Sequence, residues 1–203
     1  LCCGASIDLP RDDVRSSPER LRDFLTEHEI TISFVPTPVA EPMLSLEWQT
    51  ETKLRKLLTG GDRLNGWPSA SLPFAVVNNY GPTENAVVST SGFLRDMDSS
   101  VGRAPTLGGP ISNVTVYIVD ERGEPVPIGV AGELWVGGAS LARGYLNRAD
   151  MTAESFVPDA LSGDEGGRLY RTGDLARHLV DGSIEFLGRI GSQVKVRGHR
   201  IEL

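Results

Sequence analysis

Phe74-Ala75-Val76-Val77-Asn78-Asn79-Tyr80-Gly81-Pro82-Thr83-Glu84 is an apolar run that breaks directly into polar and turn-forming residues. Its first four residues have the length and the bounding residues of a buried strand. The last six set an aromatic ring, a rigid Gly-Pro turn, a hydroxyl and a carboxylate at the carboxyl end of that strand. Open α/β sheets bind their ligands at that end. An aromatic face can stack on a nucleobase, a hydroxyl can bond a phosphate oxygen, and a carboxylate can hold Mg²⁺. In isolation the hexapeptide reads equally well as a surface turn, so the rest of the chain has to decide.

Upstream, helical and strand signals alternate. Ser17-Pro18-Glu19-Arg20 predicts a helix start, with Ser17 as cap, Pro18 in the first turn and Glu19 complementing the dipole. Leu21, Phe24 and Leu25 give that helix an apolar stripe. A strand is expected over residues 30–35, ended by Pro36 and Pro38, then a short helix over 39–46. A second strand over 54–58 runs into the turn Thr59-Gly60-Gly61-Asp62. Strands separated by helices argue for a parallel sheet with crossover connections. Downstream of residues 103–110 the texture changes to short strands and tight turns. Residues 114–119, 132–137 and a hairpin over 175–187 around Asp181-Gly182 read as strands, with one helix near 148–156. The fold class is therefore α/β: a parallel-sheet subdomain over 1–110, then a small β-barrel or twisted sheet over 111–190. Residues 191–203 read as a hinge and the start of a further subdomain.

Composition narrows the function. With 203 residues, 39% hydrophobic and 23% charged, the chain is an ordinary soluble globular protein. Its formal net charge is −7 and no Lys/Arg run forms a nucleic-acid footprint, so nucleic acid is not an expected partner. No apolar run approaches the roughly 20 residues of a membrane span, and no signal peptide is recognisable. Cys2 and Cys3 are adjacent, which rarely permits a mutual bridge, and they read as small buried hydrophobes in a reducing, cytoplasmic setting. The chain opens on Leu-Cys-Cys and stops at Ile201-Glu202-Leu203 inside a charged segment, so it reads as a piece of a longer polypeptide.

Three further segments join the opening one. Gly60 and Gly61 follow a strand, and without β-carbons their backbone lets a ligand approach closely. In Tyr170-Arg171-Thr172-Gly173-Asp174-Leu175, an Asp just past a Thr-Gly turn can accept hydrogen bonds from vicinal hydroxyls such as those of a ribose. Residues 188–200 read as strand, hinge-like Gly-Ser and strand, and their Arg189, Lys195, Arg197, His199 and Arg200 suit either a solvated basic edge or anion contact.

Together, and in this order, these segments resemble the adenylate-forming superfamily, specifically the amino-acid-activating adenylation domains of non-ribosomal peptide synthetases. Asn-Asn-Tyr-Gly-Pro-Thr-Glu (78–84), Gly-Glu-Leu-Trp-Val-Gly-Gly with Ala-Arg-Gly-Tyr-Leu-Asn-Arg (132–148), Tyr-Arg-Thr-Gly-Asp-Leu (170–175) and the block at 188–202 carry the resemblance. It extends over essentially the whole chain.

The resemblance implies condensation of ATP with an amino acid to aminoacyl-AMP, then transfer to the phosphopantetheine of a carrier protein. On that pattern Tyr80 packs on adenine, Thr83 contacts the α-phosphate and Glu84 binds Mg²⁺. Asp174 holds the ribose hydroxyls, Arg189 contacts ribose and phosphate, and Phe186 is a second aromatic near the base. Gly60 and Gly61 line the adenine and substrate side, and Lys195 with Gly198 belongs to the segment that moves for thioester formation. Gly191 stands where the family usually has Asp at the hinge. Peptidyl carrier and condensation domains of one megasynthase are the implied partners.

Six substrate-pocket positions follow from the motif spacing: Phe34, Leu58, Gly60, Asn79, Val87 and Val88. An apolar lining of this kind suits a branched aliphatic side chain, and the set resembles leucine-activating domains. On the family pattern the phosphate loop and the amine-binding Asp lie upstream of Leu1 and the catalytic Lys beyond Leu203. The 203-residue chain alone is therefore expected to be inactive or nearly so. The rival readings are an acyl- or aryl-CoA synthetase and a non-catalytic nucleotide-binding module.

Overall fold

In the computed structural model, residues 4–94, 104–190, 194–196 and 199–201 are described, the last two groups by backbone alone. Cys2, Cys3, Gly191 and Gly198 lie outside them. The chain divides into two compact units, Leu1–Val77 with Phe93–Pro105, and Asn78–Gly92 with Thr106–Leu203. A cut near residue 110 is a different division, because 78–92 and 106–110 go with the second unit. The contact pattern follows hydrogen bonding rather than sequence order: Ile111 N–H bonds Ser89 O at 3.0 Å, and Leu107 N–H bonds Ile184 O at 2.8 Å.

The first unit opens with α1 (Asp12–Arg15) and α2 (Pro18–Glu27). Ser17 Oγ accepts from Arg20 N–H at 3.4 Å, so the N-cap falls where the sequence put it. Leu21 and Leu25, one helical turn apart, are buried, and Phe24 packs at the margin of the same core. Strand β1 (Ile32–Pro36) and helix α3 (Thr37–Met43) follow. The helix begins two residues earlier than expected because Pro38 suits a first turn, and it ends soon after Pro42, which has no N–H to donate. Strand β2 (Lys56–Gly60) runs parallel to β1, with Phe34 opposite Leu58 and Pro36 opposite Gly60. Thr59 and Gly60 are thus strand residues, and the turn starts at Gly61, at φ +93°. Strand β3 (Ala75–Tyr80) comes next, its Ala75 N–H bonded to Arg55 O at 3.0 Å.

Strand β3 extends three residues past the predicted end, so Asn78, Asn79 and Tyr80 are strand rather than turn. A single 3₁₀ turn, Thr83–Asn85, then leads to β4 (Thr90–Leu94) and the two-residue β5 (Gly109–Pro110). These two short strands pair antiparallel, Thr90 opposite Pro110 and Ser91 opposite Gly109. The strand order of this sheet is β1-β2-β3-β4-β5.

The rest of the second unit is an antiparallel sheet, which settles the choice between barrel and sheet. It is built from β6 (Val114–Val119), β7 (Gly132–Gly138), helix α4 (Ala149–Ser155), β8 (Phe156–Pro158), β9 (Arg168–His178) and β10 (Ile184–Arg189). The order is β10-β9-β7-β6, with β8 also on β9. Leu134, Val136, Tyr170, Ala176 and Ile184 bury its core, where the rings of Phe156 and Tyr170 lie 5.1 Å apart. Beyond it, β11 (Val194–Val196) and β12 (His199–Ile201) form a two-stranded ladder with Lys195 opposite Arg200.

Candidate active site

The second unit gathers Tyr80, Asp174 and Arg189 into one cluster. Asp174 does not follow a turn, as the sequence suggested, but sits in the middle of β9. The ladder is irregular there: Glu133 pairs with Leu175 and Trp135 with Arg171, so Thr172-Gly173-Asp174 stands opposite Leu134 alone. A bulge of this kind bends a strand and re-aims its side chains. Glu133 holds it in place, accepting from Gly173 N–H at 3.1 Å and from the Arg171 guanidinium at 3.3 Å. Thr172 Oγ1 donates to Leu134 O at 2.6 Å and accepts from Asp174 N–H at 3.0 Å. Gly173 takes φ +69°, a left-handed conformation that glycine adopts without penalty.

The bulge brings the Asp174 carboxylate to two partners. Arg189 is its direct register partner on β10, and its Nε lies 2.8 Å from Oδ1. This contact is an ion pair rather than an aligned hydrogen bond, since Nε has no well-directed acceptor. The Arg189 guanidinium also donates through Nη2 to Thr172 O at 2.8 Å. Tyr80, the last residue of β3, donates its hydroxyl to Asp174 Oδ2 at 2.5 Å. Burial, then the charge and hydrogen bond of Asp174, push the Tyr80 phenol well above its ordinary pKa. The side chains of Asp174 and Arg189 are 8% and 16% exposed, so the charge pair is held largely out of water.

A second cluster surrounds Glu84, a buried carboxylate in the 3₁₀ turn. Tyr145 donates its hydroxyl to Glu84 Oε1 at 2.6 Å, and Tyr170 Oη lies 3.4 Å from that hydroxyl. Burial and the neighbouring Glu84 raise the Tyr145 pKa. Ala142 N–H bonds Glu84 O at 2.8 Å, tying the turn to the segment after β7. Thr83 is exposed beside it. One carboxylate with an adjacent hydroxyl suits Mg²⁺, which usually takes one or two carboxylates together with substrate phosphates. No group of three or more His, Cys, Asp or Glu that could cage a metal occurs among the described residues.

The remaining predicted residues are distributed between the units. Phe34 and Leu58 are register partners, and Gly60 lies two residues along β2, so these three share one face of the first unit's strands. Gly61 follows them. Asn79, on β3, and Val87 and Val88, in the loop after the 3₁₀ turn, belong to the second unit. Phe186 lies on β10 against the second core, and Lys195 lies on β11.

A family model for the AMP-binding enzyme matches residues 1–146. The chain belongs to the AMP-binding enzyme family. One of the linear gramicidin synthase proteins of Brevibacillus parabrevis is 57% identical over 203 residues, covering 100% of this chain and 4% of that protein. The chain thus spans a small part of the curated relatives it matches. Among solved structures, holo-PA1221, an NRPS protein containing adenylation and PCP domains bound to a vinylsulfonamide inhibitor, aligns with TM-score 0.79 and 32% identity over 92% of this chain and 33% of its own. NpsA-ThdA, an artificially fused adenylation-PCP di-domain NRPS from Klebsiella oxytoca, aligns with TM-score 0.81 and 25% identity over 98% of this chain and 39% of its own. The expectation of an AMP-binding, adenylate-forming enzyme of the non-ribosomal peptide synthetase kind therefore holds at the level of the family. No helix among the described residues is long and apolar enough to cross a membrane.

Several residues of this candidate site are not marked by the sequence motifs alone. Glu133 and Thr172 shape the bulge, and Tyr145 orients Glu84. All three lie inside the family blocks named above, but each has a partner 38 to 61 residues away in sequence. Spacing along the chain cannot reveal such pairings.

Proposed function

We propose that the chain is part of an enzyme that activates an amino acid with ATP, forming aminoacyl-AMP and pyrophosphate for loading onto a carrier protein's phosphopantetheine. The observation that carries this reading is the Tyr80–Asp174–Arg189 cluster at the carboxyl end of β3. A buried carboxylate fixed by a phenol and a guanidinium is a preorganised acceptor for a ribose diol, and Arg189 adds positive charge for the phosphate side.

In the proposed reaction a substrate carboxylate oxygen attacks the α-phosphorus, and the bond to pyrophosphate breaks. Asp174 orients the nucleoside, while Thr83 bonds an α-phosphate oxygen. Glu84, kept in place by Tyr145, holds Mg²⁺. When bound, Mg²⁺ neutralises the charge that develops on the phosphates. Orientation and electrostatics supply the catalysis, with no covalent enzyme intermediate in this half-reaction. Lys195 acts later, in the thioester-forming step.

For the substrate, the apolar residues Phe34, Leu58, Val87 and Val88 favour a branched aliphatic amino acid, leucine first. One methylene is worth only about 1–3 kcal/mol, so isoleucine and valine are expected as weaker substrates. Similarity to solved adenylation-PCP proteins supports a carrier domain as partner. A condensation domain of the same synthase and a cytoplasmic setting complete the proposal. The test is intact-mass analysis of a holo-carrier domain incubated with the synthase protein, ATP, Mg²⁺ and leucine. Leucyl thioester formation is expected, and an unmodified carrier with every amino acid would overturn the reading.

A further inference from the structure

Ala86 and Val87 both have positive φ, +51° and +73°. Val88 N–H bonds Ala86 O at 2.9 Å, which closes a γ-turn centred on Val87. The positive-φ γ-turn is rare and strained, and a β-branched residue in that region is an outlier. Such strain persists only where the surroundings over-determine it. The two strained side chains do not provide that support, since Ala86 is exposed and Val87 is 63% exposed.

The support comes from the flanks. Asn85 is fully buried, and its amide is engaged at both ends. Nδ2 donates to Ser89 Oγ at 2.9 Å, and Oδ1 accepts from Ser140 Oγ at 2.7 Å. Ser89 is also fully buried, and its N–H bonds Tyr80 O at 2.7 Å. Gly81 seals the base of the loop: a β-carbon there would lie 2.6 Å from both Ser89 N and Val87 O. The residues on either side of 86–88 are thus pinned to each other and to the segment after β7, and the strained residues point outward between them.

We propose that Asn85 is a positioning residue for amino-acid selection, holding residues 86–88 in a backbone conformation they would otherwise leave. This rests on the proposed function, in which Val87 and Val88 face the substrate side chain. A loop that strains its backbone while exposing its side chains gains nothing in core packing. Its geometry serves presentation, and Asn85 is the fully buried side chain that bridges both anchoring hydroxyls.

The test uses the complete synthase protein carrying this chain, with the variants Asn85→Ala, Asn85→Ala/Ala86→Gly and Ser140→Ala. Amino-acid-dependent ATP–pyrophosphate exchange gives KM for leucine and for ATP, and hydrogen exchange reports the amides of residues 86–89. Asn85→Ala is expected to raise the leucine KM about tenfold, to leave the ATP KM within about twofold, and to speed amide exchange at Val87 and Val88. Adding Ala86→Gly, which accepts positive φ without penalty, recovers about threefold of the lost KM. Ser140→Ala acts in the same direction with a smaller effect, and it carries the test where Asn85→Ala fails to fold. Equal rises in both KM values, an unchanged leucine KM, or no recovery from Ala86→Gly would overturn the proposal. If the unmodified protein shows no amino-acid-dependent exchange, the proposed function falls instead. The hydrogen-exchange arm then decides the positioning role alone: faster exchange at Val87 and Val88 supports it, and unchanged exchange overturns it.

Discussion

Replacing Tyr80 with Phe removes one hydroxyl and leaves the ring, so it isolates the 2.5 Å hydrogen bond to Asp174. A hydrogen bond to a charged group contributes about 1.5–3 kcal/mol. Arg189 still pairs with the carboxylate in the variant, so the expected loss lies near the lower end, about 1.5–2 kcal/mol at pH 7.5. The pH dependence adds a sharper test. The Tyr80 pKa is raised in the folded state, so its contribution is fully present below the ordinary tyrosine value and is lost as pH rises through the folded pKa. Above about pH 10 the unfolded chain releases this proton while the folded chain keeps it, and wild type loses about 1.4 kcal/mol per pH unit from this residue. Tyr80→Phe has no such group. The other three of the four tyrosines are common to both proteins and cancel. Urea denaturation of both proteins at pH 7.5, 9, 10 and 11 therefore shows a stability gap that is constant to about pH 10 and then closes. A gap below about 0.5 kcal/mol at pH 7.5, or one that stays constant to pH 11, would refute the reasoning.

Other consequences follow from the same contacts. Tyr145→Phe deprives the buried Glu84 carboxylate of a 2.6 Å donor and should cost about 2 kcal/mol, measured as a lower urea midpoint with unchanged slope. Glu84→Gln keeps an acceptor for Tyr145 but removes the charge. It should slow ATP–pyrophosphate exchange by about 10²-fold or more, with a circular-dichroism melt close to wild type. Gly81→Ala places a β-carbon 2.6 Å from two backbone atoms that cannot rotate away, and should cost about 2–3 kcal/mol or abolish soluble expression. Glu133→Ala takes the acceptor from Gly173 N–H and from Arg171 and releases the bulge that aims Asp174, so the ATP KM should rise about tenfold while the leucine KM stays within about twofold.

Much of the architecture is legible in the chain, for physical reasons. Ser17 and Pro18 mark a helix start because their side chains act locally, and Asp181-Gly182 marks a hairpin for the same reason. Tyr80, Asp174 and Arg189 are recognisable by residue type and order. What joins them is not. The bulge at Thr172-Gly173-Asp174 depends on Glu133, some 40 residues earlier, so a local reading takes Thr-Gly for a turn. Strands β4 and β5 escape notice because they are short and pair across a long connection. The strain at Val87 leaves no trace in composition, since a β-branched residue in a loop gives no hint of positive φ.

The proposed function requires this site to activate amino acids and not carboxylic acids at large. ATP–pyrophosphate exchange by the complete synthase protein, with leucine compared against 4-methylpentanoate, its analogue lacking the amine, tests it most directly. Strong exchange with leucine, weaker exchange with isoleucine and valine, and background exchange with 4-methylpentanoate is the predicted result. Equal exchange with leucine and 4-methylpentanoate, or no exchange with any amino acid, would contradict it.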